Sequence, residues 1–261
     1  MTTRREALGL IGLATGSVLL GSLATGQALA GAEKTNCETA ALPFPWPYRK
    51  LDPVACAERS YKAFYEENRH CMYGAFLGII GEYAEAQGAP YCNFPYKMMT
   101  IGGGGGGDWA TLCGALNGAM LAVSLLTKTP KPVVDELFSW YETEQLPNYR
   151  PAGAKMAIVT SVSKSPLCHI SVSRWCKVAR VKAFSDAREE RCAQLTASVV
   201  KKAVELLNAQ SDGSFKAAYP LPKYVQECRS CHDKKSMLEN TRGKMQCAPC
   251  HADLKAEHPK I

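Results

Sequence analysis

After its first thirty residues the chain has no apolar run long enough to cross a bilayer, which argues against a permanent membrane anchor. It has no dense basic run with interleaved aromatics, which argues against nucleic acid as a partner. No stretch reads convincingly as β-strand, so the body is expected to be mainly α. Histidine is scarce, with five residues in 261, which limits any chemistry that needs imidazole. The run Gly102–Gly107 has no clear strand before it and no Gly-Lys-Ser/Thr after it. A nucleotide-binding reading is therefore weak, because so many glycines match almost any glycine motif. A backbone turn whose amides reach a neighbouring group at a helix N-terminus suits the run better.

Cysteine, by contrast, is abundant, with 12 residues. Four lie in Cys228-Arg229-Ser230-Cys231-His232 and Cys247-Ala248-Pro249-Cys250-His251. C-x-x-C-H is the attachment pattern of c-type haem. One tight turn puts both thiols at a porphyrin edge for thioether bonding and the histidine, His232 or His251, under the iron. Two copies so close together imply two neighbouring haems and electron transfer. Without the histidines the pattern is also a zinc-ribbon spacing, or a pair of disulfides. A zinc site of four thiolates has no use for a histidine after each pair, which favours haem.

Haem c is attached outside the cytoplasm, and residues 1–30 read as an export signal. Arg4-Arg5 form a twin-arginine pair, an apolar run follows from Leu8 to Leu20, and Ala28-Leu29-Ala30 is an A-x-A cleavage site. A periplasmic location follows. Twin-arginine export moves folded chains, commonly around a cofactor already inserted, so a second cofactor is expected before the haem motifs. The expected domains are this signal, a helical cysteine-rich domain over 31–215 and a small di-haem c segment over 216–261.

Within the body, a helix is expected over 54–87, interrupted near Gly74–Gly81, with apolar residues at helical spacing. Asp108 is expected to cap a helix from Trp109 to Leu126, and Pro130 to open another to Glu144. Ser185 or Asp186 should cap a long helix ending near Ala209, stopped by Asp212-Gly213. Pro220 and Pro222 make a stiff linker into the tail. Gly114 and Gly118 leave one helix face bare for close approach. Cys71, Cys113 and Cys192 fall in these segments, and Cys168 and Cys176 in a further cysteine-bearing segment from Lys164 to Lys182. Taken singly each is a buried core thiol; together, in an exported protein, they suit an iron–sulfur cluster, with disulfides and inert thiols as the alternatives.

Four stretches resemble a redox family named for its Cys, Gly-Cys-Ala-x-x-Gly, Cys, Cys pattern. They are Cys71-Met-Tyr-Gly-Ala, the glycine run leading into Cys113-Gly-Ala-Leu-Asn-Gly, Ser165 through Cys176, and Arg191-Cys192-Ala-Gln-Leu-Thr. Leu112 and Gly114 depart from the Gly and Ala that flank the family cysteine. With the tail and signal added, the chain is similar to the split-Soret cytochromes c of sulfate-reducing bacteria. That resemblance implies a homodimer with two haems c per subunit, gathered at one end with ligands crossing between subunits. It also implies an iron–sulfur centre, of 2Fe–2S type, on Cys168, Cys176 and Cys192 first, then Cys113 and Cys71. Cys37, Cys56 and Cys92 fall outside the matching stretches and are assigned nothing.

With His232 and His251 as proximal ligands, the second ligands must come from His258, His169 and His70, in that order, or from Met237 and Met245. A second histidine keeps a haem potential low and a methionine raises it; the resemblance favours histidine. Irons with both axial positions filled do not bind substrate, so a one-electron carrier is expected rather than an enzyme. The alternative is a redox enzyme with an open iron site or reactive thiols. Much of the surplus behind the formal charge of +7 lies in the tail, which suits either acidic redox partners or an ordinary solvated surface.

Overall fold

Asp52 starts the helical body. Its carboxylate accepts hydrogen bonds from the Val54 and Ala55 amides, Pro53 occupies the first helical position, and α1 runs Pro53–Tyr65. The computed structural model describes residues 44–89 and 91–251. The twin-arginine segment, Cys37 and His258 lie outside the described residues. All described residues, including those of the tail, belong to one contact unit, Leu42–Ile261.

The expected helix over 54–87 is two helices, and the break lies at 66–69 rather than at the glycines. Glu66–Asn68 makes one 3-10 turn, Asn68 and His70 take φ of 55° and 60°, and α2 then runs His70–Gln87. Gly74 and Gly78 remain helical because they let α1 come close. A Cβ on Gly74 would sit 2.9 Å from the Ser60 carbonyl oxygen, and one on Gly78 would sit 2.5 Å from the Ser60 Cβ. Gly88, at φ 65°, ends α2.

The helix expected from Asp108 also starts later. Asp108 is at φ 64°, which an N-cap does not adopt, and α3 is Gly114–Leu126 with Cys113 at its N-cap. The glycines before it belong to a 3-10 stretch, Tyr96–Gly105, that is broken at Gly103 and Gly104. This stretch folds back on itself, with Gly107 N donating to Ile101 O at 2.7 Å and Ala110 N to Gly104 O at 2.8 Å. The remaining helices are α4 (Pro130–Thr143), α5 (Cys168–Ala179), α6 (Asp186–Ser211), α7 (Lys223–His232) and α8 (Ala248–His251). Ser185 caps α6 by accepting from Arg188 N at 3.3 Å. The only sheet among the described residues pairs β1 (Gln145–Leu146) with β2 (Ser161–Val162), antiparallel. The protein is mainly helical, as the sequence implies.

The core gathers Phe76, Ile79, Ile80 and Tyr83 of α2, Leu116, Ala119 and Val123 of α3, Leu137 and Tyr141 of α4, and Val199, Val200 and Val204 of α6. Buried aliphatic and aromatic side chains from four helices supply the main driving force. Gly114 and Gly118 bring α3 onto α2 as the sequence suggests: a Cβ at Gly118 would collide with the Met72 carbonyl oxygen. Gly118→Ala is therefore expected to destabilise the protein by on the order of 1–2 kcal/mol net, because backbone overpacking outweighs alanine's better helix propensity. Gly243→Ala, where nothing lies within 4 Å, serves as the neutral control in the same urea titration. Among the described residues no helix is long and apolar enough to cross a membrane.

Candidate functional site

Cys113 and Cys168 meet because two backbone segments pair. Cys113 N donates to Pro166 O at 2.9 Å, Cys168 N to Thr111 O at 2.6 Å and His169 N to Ala110 O at 3.0 Å. Leu112 and Leu167 form an antiparallel bridge. The pairing starts α3 and α5 side by side, with a cysteine at each start. The glycine run encloses the pair. At Gly105, φ 76°, a Cβ would lie 2.8 Å from both the Cys168 Cβ and the Thr111 amide nitrogen, so only glycine fits.

Cys71, in the first turn of α2, and Cys192, near the start of α6, complete the group. The four thiols line one small cavity of about 20 Å³, together with Tyr141, Ser171 and Arg191. Burial pushes the Cys71 thiol well up and raises Cys113, which a hydrogen bond from Tyr141 partly offsets. It pushes Cys168 up to about 12, helped by the neighbouring Cys113 and Cys192. Without metal, these three thiols are therefore protonated at neutral pH, and metal binding must displace their protons.

Among the described residues, no three His, Cys, Asp or Glu side chains are close enough together to hold a single metal ion. Thiolate is the donor type that an iron–sulfur cluster takes, and the four thiols share one cavity. Cys176 is eight positions along α5 from Cys168, half-buried, and is not on the cavity wall. Burial raises its thiol, and Arg191 opposes that rise. Cys56 is buried on α1 with its Sγ 4.0 Å from Glu82 Oε2, and Cys92 is exposed. No described cysteine is in a disulfide.

The C-x-x-C-H elements occupy helix ends. Cys228, Cys231 and His232 form the last turn of α7, and Cys247 leads into α8, which carries Cys250 and His251. The following chain wraps around the first motif: Leu238 N donates to Cys231 O at 2.9 Å and Thr241 N to His232 O at 3.0 Å. His232 Nδ1 lies 2.7 Å from Asn240 Oδ1. With Nδ1–H donated to that oxygen, Nε2 is the nitrogen suited to a metal.

The first cysteines of the two motifs are neighbours. Burial raises the Cys247 thiol, and the adjacent Cys228 raises it further. Glu142 of α4 faces this pair. It is 3% exposed, accepts from Gln246 N at 3.2 Å, and is pushed up to about 7 by burial, partly offset by that N–H. With Glu142, other residues of α4 and residues 243–245 line an open, mainly apolar pocket of about 760 Å³, whose wall includes Phe138, Phe215, Tyr219, Leu221 and Met245. The pocket wall ends at Met245, two residues before Cys247, and none of Cys247, Cys250 or His251 lines it.

His70 stands edge-on to Phe64, with ring centroids 5.6 Å apart, and packs on Gly103. His169 is exposed at the start of α5. Each directly neighbours a cavity cysteine in sequence, Cys71 or Cys168, and neither lines the cavity. Met237 and Met245 are exposed in the tail, at 65% and 43%.

The family model described as "Putative redox-active protein (C_GCAxxG_C_C)" matches residues 77–206, taking in Cys113, Cys168, Cys176 and Cys192 and leaving Cys71 outside. Split-Soret cytochrome c of Desulfovibrio desulfuricans is 40% identical, over 99% of this chain and 97% of that protein. The chain belongs to the split-Soret cytochrome c family. A solved structure of the Desulfovibrio desulfuricans split-Soret cytochrome c, described as having a novel iron centre, superposes with a TM-score of 0.76. It is 41% identical and covers 82% of this chain and 93% of that one.

Against this split-Soret framework, sequence reading misses Tyr141, Ser171 and Arg191 at the thiol cavity and Glu142 and Asn240 at the haem motifs. Their types are unremarkable in sequence. Only Arg191 has a local signal, its position directly before Cys192.

Proposed function

We propose that this chain is a periplasmic c-type cytochrome, exported by the twin-arginine route, that passes single electrons between redox proteins. Each subunit holds two haems c and one iron–sulfur centre of 2Fe–2S type, and the working unit is a homodimer. The observation that carries this reading is the placement of its cysteines in two groups. One is a buried four-thiol cavity within the helical body; the other is a pair of C-x-x-C-H turns with neighbouring first cysteines. When bound, these groups supply reversible one-electron chemistry.

The protein's own residues bind and insulate. Cys228 with Cys231, and Cys247 with Cys250, anchor one haem each, and His232 and His251 serve as proximal ligands. Cys71, Cys113, Cys168 and Cys192 are the cluster donors that the cavity favours. Second axial ligands come from His258, His169 or His70. With these few histidines, and the family resemblance, sharing across a dimer is the economical arrangement. The exposed Lys216, Lys223, Lys234, Lys235 and Arg242 form a basic rim for acidic partners, while Lys244 is engaged with Asp135.

Analysis of the purified protein for haem, iron and acid-labile sulfide tests the reading. Two haems per chain with additional iron and sulfide are expected. Iron equal to haem with no sulfide removes the cluster. An unchanged spectrum of the reduced protein under carbon monoxide supports the carrier; a ligand-bound spectrum favours an enzyme with an open iron site.

A further inference from the structure

Arg191 is a buried cation that the thiol cavity does not explain by itself. It is 1% exposed. One end is fixed: Nη2 donates to Ser171 Oγ at 2.8 Å, and Ser171 Oγ lies 2.8 Å from the Tyr141 hydroxyl. Its guanidinium carbon is 6.0 Å from the Trp175 ring, and Trp175 is held by its own indole bond to Val159 O at 2.8 Å. The group faces Cys192, Cys113 and Tyr141. Among the described residues no carboxylate forms an ion pair with it, and its Nε, buried, has no hydrogen-bond partner.

The adjacent carboxylate cannot supply the missing charge. Glu190 is fully buried, but it accepts from Tyr61 at 2.9 Å, Tyr65 at 2.7 Å and Gln194 at 2.7 Å, all on its own side of α6. A buried guanidinium without a counter-charge is costly, and so is an unmade N–H bond. Both costs disappear if the cavity holds something anionic and sulfur-rich. Four thiolates around an iron–sulfur centre meet that description.

We propose that Arg191 is a positioning residue of the iron centre, supplying the buried positive charge opposite the thiolates and donating its Nε–H to sulfur. This rests on the iron centre proposed above. Reduction adds one negative charge to the centre while Arg191 keeps its proton, so a fixed cation close by in a low-dielectric site favours the reduced form. Arg191 therefore raises the potential of the centre.

Iron and sulfide are first measured in the wild-type protein. Their absence there sinks the iron centre and this inference with it. With the centre present, EPR-monitored redox titration of Arg191→Gln and Arg191→Lys decides the question. At the wild-type midpoint, Arg191→Gln is expected to have at least tenfold less reduced than oxidised centre, a shift of about 59 mV for one electron. Arg191→Lys, which keeps the charge, is expected to stay within about threefold of wild type. An unshifted glutamine variant overturns the proposal, as does a lysine variant shifted as far as the glutamine one. Should the glutamine variant fail to fold, 15N-arginine labelling of the wild type still decides it. A hyperfine coupling from an arginine nitrogen to the reduced centre is expected, and its absence refutes the contact.

Discussion

A Cys247→Ala, Cys250→Ala double variant is expected to carry one haem per chain where the wild type carries two, and the matching pair at Cys228 and Cys231 is expected to do the same. Each haem depends on its own two thioethers. His251, on a four-residue helix with an exposed ring, has no hold on a macrocycle without them. The halving is diagnostic, because the competing zinc-ribbon arrangement shares a single ion among four thiolates. There, loss of either pair removes the whole metal. A pyridine haemochrome assay with metal analysis on the same samples separates the outcomes. Half the haem supports two independent sites. Zinc in the wild type and none in either variant overturns them.

The two groups of residues differ in how far they can be read from sequence. The haem motifs are fully local: five consecutive residues hold both attachment points and one ligand, so their spacing alone carries the chemistry. The thiol cavity is not local. Cys71, Cys168 and Cys192 lie on α2, α5 and α6 and Cys113 just ahead of α3, and what unites them is the bridge between Leu112 and Leu167 and the packing of the helices. No period in the sequence encodes that pairing. Family resemblance names these four cysteines and Cys176 and ranks Cys176 with the first, whereas the four line the cavity and Cys176 does not.

Helix boundaries show the same division. Ser185 and Pro130 act within one turn of their own position, and the helices they open begin where the residues suggest. Asp108 has the right chemistry for a cap and the wrong backbone. The glycine run ahead of it coils back through bonds from Gly107 and Ala110, which puts Asp108 at positive φ and delays α3 to Cys113. Gly74 and Gly78 mislead for a related reason. Glycine lowers helix propensity in isolation, but here its missing side chain admits the backbone of α1, and the contact repays the propensity cost.

Removing a single cavity thiol is expected to have the largest effect on the iron centre. Cys113→Ala and Cys168→Ala should each retain both haems and lose more than nine-tenths of the non-haem iron and acid-labile sulfide. Both cysteines sit on the paired segments that form the cavity, and each thiol is raised by burial, so no ionised substitute stands ready nearby. With one thiolate missing, the remaining donors must still lose protons to bind iron, with less binding energy to drive that loss. Cys56→Ala and Cys92→Ala, away from the cavity, should keep full iron and sulfide. Cys176→Ala should keep them too, because Cys176 is off the cavity wall. That last variant is the sharpest of the set, since the family resemblance implies Cys176 as a ligand while the four-thiol cavity leaves it off its wall. Loss of iron in Cys176→Ala together with its retention in Cys71→Ala would mean the centre sits on the outer side of α5, nearer Cys176 and Cys192, and the four-thiol cavity would be a packing feature. Circular dichroism on each variant shows that the helices persist, so that iron loss reports on ligation rather than on unfolding.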